Sequence, residues 1–158
     1  MNDLPNGWEF VDFPEIVFFQ EGPGLRKYQY RESGVPFLNI RTFVDESIEK
    51  KLCNFLDVKE VEGKYQHFLV DEDDILVATS GSIGKMAIAK AEDLPLMLNT
   101  SIMRFRPIDE ESLGRRFLYF FLKSDCFFKQ AETAWTGTAQ KNMGPSHIKT
   151  FKIFLPPI

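Results

Sequence analysis

Cysteine and histidine are scarce in this 158-residue sequence, which contains two of each. Cys53 and Cys126 lie far apart and form no CxxC pair, so the sequence indicates neither a disulfide framework nor a structural zinc site. His67 and His147 have no Ser, Cys or carboxylate at a recognised catalytic spacing. The sequence therefore predicts no metal site and no nucleophilic centre, and a reducing cytoplasm is the expected location.

Long apolar runs and targeting signals are missing as well. The apolar stretch at residues 117–122 is far shorter than the roughly 20 residues that a membrane helix needs. Residues 1–7 contain no cationic run and no apolar segment of signal-peptide length. We expect a soluble intracellular chain.

An excess of positive charge is also lacking, since the formal net charge is −4. This argues against a protein that coats nucleic acid or an anionic membrane by bulk attraction. The charges are unevenly distributed: residues 26–41 hold four bases against one acid, and residues 113–158 hold seven bases against two acids. Two basic segments can form one basic face, and scattered solvated lysines explain them equally well.

Apolar residues are plentiful, at 44% with 16 phenylalanines, which is enough for one core in a chain of this length. Alternation and turn residues predict strands at 34–40, 75–79, 86–89, 102–106 and 148–155. A short helix is predicted from about Pro14, one or two helices from Gly114 with a joint at Ser124, and a short helix near Pro145. Residues 45–64 indicate a solvated loop with one helical turn. The expected fold is a single α+β domain with a curled, mostly antiparallel sheet and helices near the C-terminal end.

A glycine-rich turn at residues 81–85 suggests a phosphate-binding loop, but the motif fails. GxxxxGK[ST] requires Gly where Thr79 stands and Ser or Thr where Met86 stands, and a strand rather than a helix is predicted to follow. Together with the preceding Ser80, the turn still offers small residues, two hydroxyl groups and Lys85, which suit a close approach to a DNA backbone or base edge. An ordinary hairpin turn explains the spacing equally well.

Two acidic or mixed-charge segments contain residue types that are found in catalytic or metal sites. Four adjacent carboxylates at residues 71–74 favour a solvated turn over a metal site, because the spacing of a calcium loop is absent. Glu49 and Lys51 form the E-x-K fragment of many nucleases, but no convincing upstream aspartate strand accompanies them. A nuclease assignment therefore rests on these two residues alone.

The run at 27–31 interleaves basic and aromatic residues. Such a run suits phosphate contacts and stacking, and an aromatic-rich sheet edge explains it nearly as well.

Four blocks in order give the chain a resemblance to a known family. They are Gly-Val-Pro-Phe-Leu-Asn-Ile at 34–40, Asp-Ile-Leu-Val-Ala-Thr-Ser-Gly-Ser-Ile-Gly-Lys at 74–85, the segment 99–107, and the segment 117–157 with Thr-Gly-Thr-Ala-Gln-Lys-Asn at 136–142. Their order and spacing resemble a target recognition domain of a type I restriction-modification specificity subunit. The resemblance covers nearly the whole chain.

The resemblance implies a DNA reader without catalysis of its own. Members of this family contain two such domains separated by long helical spacers, and each domain reads one half of a bipartite target. Residues 1–158 would be one such domain, with the spacer and the second domain absent. No cofactor is expected on this chain, because S-adenosylmethionine, Mg and ATP would belong to partner subunits. The implied partners are double-stranded DNA, methyltransferase subunits and, through the complex, a restriction and translocase subunit.

The residues expected to contact DNA fall into two groups. Basic side chains would hold phosphates or guanines, and we assign this role to Arg26, Lys27, Arg31, Arg41, Lys85 and Lys141. Aromatic, hydroxyl and amide side chains would stack, position or read bases, and these are Tyr28, Tyr30, Ser80, Ser82, Asn99, Thr100, Gln140 and Asn142. The alternative is a protein-interaction module that docks on a methyltransferase subunit through the Phe-rich helix at 117–128, although core packing explains those phenylalanines equally well.

Overall fold

The computed structural model describes residues 4–135 and 141–157. Its strands are β1 (Glu9–Asp12), β2 (Val17–Glu21), β3 (Tyr30–Arg31), β4 (Val35–Phe37), β5 (Phe43–Val44), β6 (Ser47–Ile48), β7 (Asn54–Leu56), β8 (Ile75–Ala78), β9 (Met86–Ile88), β10 (Ile102–Pro107) and β11 (Lys152–Leu155). Its helices are α1 (Phe13–Ile16), α2 (Val58–Glu60), α3 (Arg115–Lys123), α4 (Asp125–Ala134) and α5 (Pro145–Ile148). The chain divides into two compact units: a terminal unit of residues 1–18 and 107–158, and a central unit of residues 19–106.

The terminal unit is built around aromatic residues. β1 pairs antiparallel with β11, with Glu9 opposite Leu155 and Asp12 opposite Lys152. Phe13 is fully buried, and its ring centroid lies 6.0 Å from that of Phe121 and 6.2 Å from that of Phe127. Burial of one such ring contributes about 3–5 kcal/mol, judged by the cost of truncating it to alanine. Much of the apolar face of α3 and α4 is therefore core.

Ser124 separates α3 from α4, as the sequence predicts. Its hydroxyl accepts a hydrogen bond from the Phe127 amide at 3.3 Å, which satisfies one of the amides left unpaired at the start of α4.

Among the described residues, no helix combines the length and the apolar character needed to cross a bilayer.

The remaining sheets belong mainly to the central unit, although β2 begins and β10 ends in residues assigned to the terminal unit. β2, β10, β8 and β9 form a four-stranded sheet in that order, β3, β7 and β4 form a second sheet, and β5 and β6 form a hairpin. β9 and β10 both pair antiparallel with β8, whose four residues are all buried. This arrangement matches the predicted α+β class with antiparallel pairing, although the strands are divided among separate sheets.

Two predicted elements differ from the structure. Residues 45–64 are not a solvated loop with one helical turn, because they include β6, β7 and α2. β7 pairs with both β3 and β4, and its Leu56 is fully buried, so tertiary pairing orders a segment whose local composition is polar. The last strand is also shorter than predicted, because Ile148 ends α5 and β11 begins only at Lys152.

The carboxylates at 71–74 are only partly a solvated turn. Asp74 is fully buried, and its carboxylate accepts hydrogen bonds from Arg104 Nη1 at 3.0 Å and Arg106 Nη1 at 3.3 Å. Arg104 Nη1 also donates to the Leu69 carbonyl at 2.7 Å. The prediction of a solvated turn is therefore wrong at Asp74. Two arginines from β10 contact its carboxylate, and their positive charges offset the cost of burying it.

Candidate nucleic-acid interface

An open groove in the central unit gathers polar and basic side chains. It encloses about 510 Å³, and we call it the basic groove. Its lining residues are Lys27, Tyr30, Asn39, Ile40, Arg41, Asn54 and Ser101. Two of these side chains are cationic, four carry amide or hydroxyl groups, and none is a carboxylate. A chain with a net charge of −4 therefore presents a locally positive, hydrogen-bonding concavity.

Arg41 is held in a fixed orientation at this groove. Its Nε donates to the Leu52 carbonyl and its Nη2 donates to Asn54 Oδ1, each at 3.2 Å. These contacts occupy one edge of the guanidinium and leave the Nη1 end exposed, with no hydrogen bond from Nη1 to the residues that the structure describes. Nη1 and the second N–H group of Nη2 together suit a bidentate contact with a phosphate or with guanine O6 and N7.

A second concavity shares Arg41 with the basic groove. It encloses about 590 Å³, and we call it the hairpin cleft; its lining residues are Arg41, Phe43, Val44, Asp45, Glu46, Gly84, Lys85 and Met86. The two concavities therefore meet at Arg41, and together they place Lys27, Arg41 and Lys85 on connected surface. The hairpin cleft also carries two carboxylates, so the basic groove is the more favourable site for an anion.

Gly81 allows the turn between β8 and β9 to approach this surface. It has a φ of +67°, and a Cβ at this position would lie 2.6 Å from Ile40 Cδ1. Because Ile40 lines the basic groove, the turn that carries Ser80 and Ser82 lies next to it. Ser82 itself accepts a hydrogen bond from the Lys85 amide through its carbonyl, which closes the turn at 3.2 Å.

The turn that precedes β10 reaches the same groove through Ser101. Gly22 packs against the backbone of Leu98 and Asn99 so closely that a Cβ at position 22 would overlap both. Asn99 Oδ1 accepts hydrogen bonds from the Ser101 amide at 2.8 Å and from the Ser101 hydroxyl at 2.7 Å. Thr100 is exposed between them. The predicted residues Asn99 and Thr100 are thus placed beside the basic groove.

The other predicted residues of the central unit, Arg26, Tyr28 and Arg31, belong to the segment at 26–31. Tyr28 is 82% exposed, which is unusual for an aromatic side chain and suits stacking on a base or sugar. Arg31 folds back so that its Nη1 donates to the carbonyls of Tyr28 and Tyr30 at 3.1 and 3.0 Å. Arg26 is exposed, and its amide donates to Gln29 Oε1 at 2.9 Å.

The remaining predicted residues belong to the terminal unit. Lys141 Nζ lies 5.9 Å from the centre of the Trp135 ring, and the Asn142 carbonyl accepts a hydrogen bond from Trp135 Nε1 at 2.9 Å. Gln140 lies outside the described residues. The structure therefore places Lys27, Tyr30 and Arg41 in the basic groove and Lys85 in the hairpin cleft. It places Lys141 and Asn142 beside Trp135 in the terminal unit.

Three polar side chains of the basic groove are absent from the predicted set: Asn39, Asn54 and Ser101. Asn39 and Asn54 hold local structure, since Asn39 Oδ1 accepts from the Arg41 amide at 3.1 Å and Asn54 orients the Arg41 side chain. Ser101 follows Asn99 and Thr100 directly, so its position in the chain was a usable signal. Asn54 had no such signal, because its segment was predicted to be a loop.

Two groups of the central unit have pKa values raised by burial. Burial raises the pKa of the Cys53 thiol to about 11, and burial also raises the pKa of Glu21. The E-x-K fragment is a surface ion pair, with Lys51 Nζ 3.7 Å from the Glu49 carboxylate. Within the described ranges 4–135 and 141–157, no cluster of three His, Cys, Asp or Glu side chains has the arrangement of a metal site.

Separate antiparallel sheets, short helices and a positive groove lined by amides and hydroxyls define a polar binding module. Residues 5–158 match the family model described as type I restriction modification DNA specificity domain. The chain belongs to that family, which confirms the resemblance.

Individual relatives agree with the family match. The chain is 28% identical, over 99% of its length, to the type I restriction enzyme MjaVIII specificity subunit of Methanocaldococcus jannaschii, and it spans 37% of that protein. It is 22% identical, over 94% of its length, to the type I restriction enzyme EcoAI specificity subunit of Escherichia coli, and it spans 24% of that protein.

A solved structure confirms the fold class. The crystal structure of the HsdS subunit from Thermoanaerobacter tengcongensis is similar over 98% of this chain and 34% of that one, with a TM-score of 0.67 and 21% identity. The chain therefore spans between about a quarter and two fifths of the length of these relatives.

Proposed function

We propose that this chain binds double-stranded DNA sequence-specifically and reads one half of a bipartite target for a type I restriction-modification complex. The observation that carries the proposal is the basic groove, where two cations and four hydrogen-bonding side chains line one concavity that contains no carboxylate. Backbone contacts supply most of the affinity in such an interface, and contacts with base edges supply the specificity. Both kinds of side chain are present on connected surface.

Within this proposal, the side chains divide by their chemistry. Lys27, Arg41 and Lys85 are exposed cations that would contact phosphates or a guanine. Tyr28 and Tyr30 would lie against sugars or bases, and Arg26 and Arg31 would add positive charge at the edge of the groove. The remaining candidates provide hydroxyl and amide groups for positioning or readout: Ser80, Ser82, Asn99, Thr100, Gln140 and Asn142, with Lys141 as a further phosphate contact.

The proposed partners are those that a DNA-reading domain would serve. A specificity component would place a methyltransferase subunit over an adenine that is flipped out of the duplex and methylated, with S-adenosylmethionine bound by that subunit. A restriction and translocase subunit would join through the same complex, and a cytoplasmic location fits these partners. Residues 1–158 would act as a single recognition domain, one of the two that read a bipartite target.

Selection from a random duplex library tests the proposal. The chain, alone and in complex with its methyltransferase subunit, should enrich one short motif, and affinity for that motif should fall with salt by a log–log slope of about −0.9 per phosphate contacted. Failure to enrich any motif in either form would overturn the proposal. For substitutions in the basic groove such as Arg41→Ala, the Lys59→Ala variant serves as the matched control, because Lys59 is an exposed cation of the central unit that lines neither concavity.

One observation favours docking on a methyltransferase subunit as a second function of the terminal unit. Phe120 on α3 is 56% exposed, and the Arg116 guanidinium lies 5.9 Å from the centre of its ring. Phe120→Ala should weaken association with the methyltransferase subunit and leave the selected DNA motif unchanged. Association at wild-type strength would remove this face from the interface.

A further inference from the structure

The side-chain amide of Asn99 has its acceptor fully occupied inside the protein. Its Oδ1 accepts from the Ser101 amide at 2.8 Å and from the Ser101 hydroxyl at 2.7 Å. A backbone N–H can only donate, so the atom that faces Ser101 must be the oxygen and the amide orientation is fixed by chemistry. A carbonyl oxygen accepts about two hydrogen bonds, and both are used.

The outward-facing group of Asn99 is therefore a donor. The side chain is half-buried, and Nδ2 makes no hydrogen bond with the residues that the structure describes. Its two N–H groups remain available to a ligand beside the basic groove, which Ser101 lines.

The backbone around Asn99 fixes where this donor lies. The Asn99 carbonyl accepts from the Ile102 amide at 3.1 Å, and the Ser101 carbonyl accepts from the Thr79 amide of the neighbouring chain segment at 2.9 Å. On its other side the backbone abuts Gly22, where no Cβ could be accommodated. A donor held in this way loses little conformational entropy on binding, so its geometry can discriminate between bases.

A donor without a free acceptor selects a particular set of bases. In the major groove, guanine presents two acceptors (O6 and N7) and thymine presents one (O4), whereas adenine pairs its single acceptor (N7) with an N6 amino donor and cytosine presents only an N4 amino donor. Asparagine normally reads adenine by donating to N7 and accepting from N6, and Asn99 has no lone pair left for the second contact. We propose that Asn99 is a specificity-determining residue that reads a carbonyl-bearing base, guanine or thymine, by donation alone, an inference that rests on the DNA-reading function proposed above.

Asn99→Asp inverts the outward chemistry without disturbing the turn. A carboxylate oxygen still accepts from the Ser101 amide and hydroxyl, and the second oxygen replaces the exposed NH₂ group, so a donor becomes an acceptor of nearly the same shape. Asp accepts from the cytosine N4 amino group. The variant should therefore exchange a guanine or thymine for an amino-bearing base at one position of the target.

Ser101→Ala provides a second and independent variant. It removes the hydroxyl donor and frees one lone pair on Asn99 Oδ1, while the bond from the residue 101 amide remains. Asn99 could then both donate and accept, so adenine should become tolerated at the same position. This change acts on base preference through a neighbour, which a loss of stability would not reproduce.

The test is library selection with the wild-type chain, Asn99→Asp and Ser101→Ala, each in complex with the methyltransferase subunit. The expected wild-type motif has guanine or thymine at one position with about ten-fold preference; Asn99→Asp should change that position to cytosine or adenine, Ser101→Ala should admit adenine there, and the other positions should be retained. A wild-type motif that both variants keep would overturn the inference while leaving the DNA-reading function intact. A wild-type complex that enriches no motif would overturn both.

Discussion

Replacement of Arg41 tests the basic groove at the residue where it meets the hairpin cleft. The guanidinium is already oriented by Leu52 and Asn54, so little side-chain entropy is lost when its exposed end binds DNA. A bidentate arginine contact with guanine discriminates by about 1–3 kcal/mol, which corresponds to roughly 5- to 150-fold in Kd. If the contact is with phosphate, Arg41→Ala should instead weaken binding to all sequences and reduce the salt slope by about 0.9.

Arg41→Lys separates geometry from charge. Lysine keeps the positive charge but cannot form the planar two-nitrogen contact, so we expect it to restore the salt slope and not the base preference. Fluorescence-anisotropy titrations at several salt concentrations, with the selected duplex and with a scrambled duplex, measure both quantities. The Lys59→Ala control should bind like the wild type. Arg41→Ala with unchanged affinity and unchanged salt slope would refute the reasoning, provided that its Tm is close to the wild-type value.

Three further predictions concern the stability and reactivity of the central unit and of α4. Thiol labelling of the native protein should modify exposed Cys126 rapidly and buried Cys53, whose pKa is raised to about 11, only on unfolding. Thr79→Val should raise the free energy of unfolding by about 1–3 kcal/mol in denaturant titrations, because the buried Thr79 hydroxyl has no hydrogen-bond partner among the described residues. Hydrogen bonding to Arg106 lowers the pKa of Asp71 below its ordinary value of 3.8, so this carboxylate stabilises the fold above that pH and loses its contribution as the pH falls through the lowered folded-state value. The Tm advantage of the wild type over Asp71→Asn should therefore be present at neutral pH and disappear in strong acid.

Much of the fold follows from local patterns in the sequence. The buried strand β8, the turn after it and the returning strand β9 were predicted from an apolar run followed by Gly-rich residues. The joint between α3 and α4 was predicted from Ser124, which caps α4 as expected. These elements are determined by residues close in the chain, which is why the sequence alone reveals them.

The elements that were missed depend on contacts distant in the chain. β7 consists of Asn-Phe-Leu in a charged region, and only its pairing with β3 and β4 on both sides makes it a strand. The prediction that Asp74 is solvated failed because its partners Arg104 and Arg106 lie 30 and 32 residues further along the chain. Local composition carries no signal for either pairing.

The residues of the candidate site also divide into those that the sequence predicted and those that only the structure revealed. Interleaved basic and aromatic residues pointed to Lys27 and Tyr30, which do line the basic groove. The orientation of Arg41 by Asn54 and the saturated acceptor of Asn99 were not predictable, because each depends on a hydrogen bond of defined direction rather than on residue type. The sequence therefore indicated which side chains could contact DNA, and the structure indicates how two of them are presented.

Lysine footprinting on the selected duplex tests most directly whether DNA lies in the basic groove. Exposed lysines are modified with an amine-reactive reagent in the presence and absence of duplex, and protection at each position is measured by mass spectrometry. We expect strong protection of Lys27 and Lys85 and unchanged modification of Lys59 and Lys90, which are exposed cations of the same unit. Equal modification of Lys27 with and without bound duplex would contradict the account.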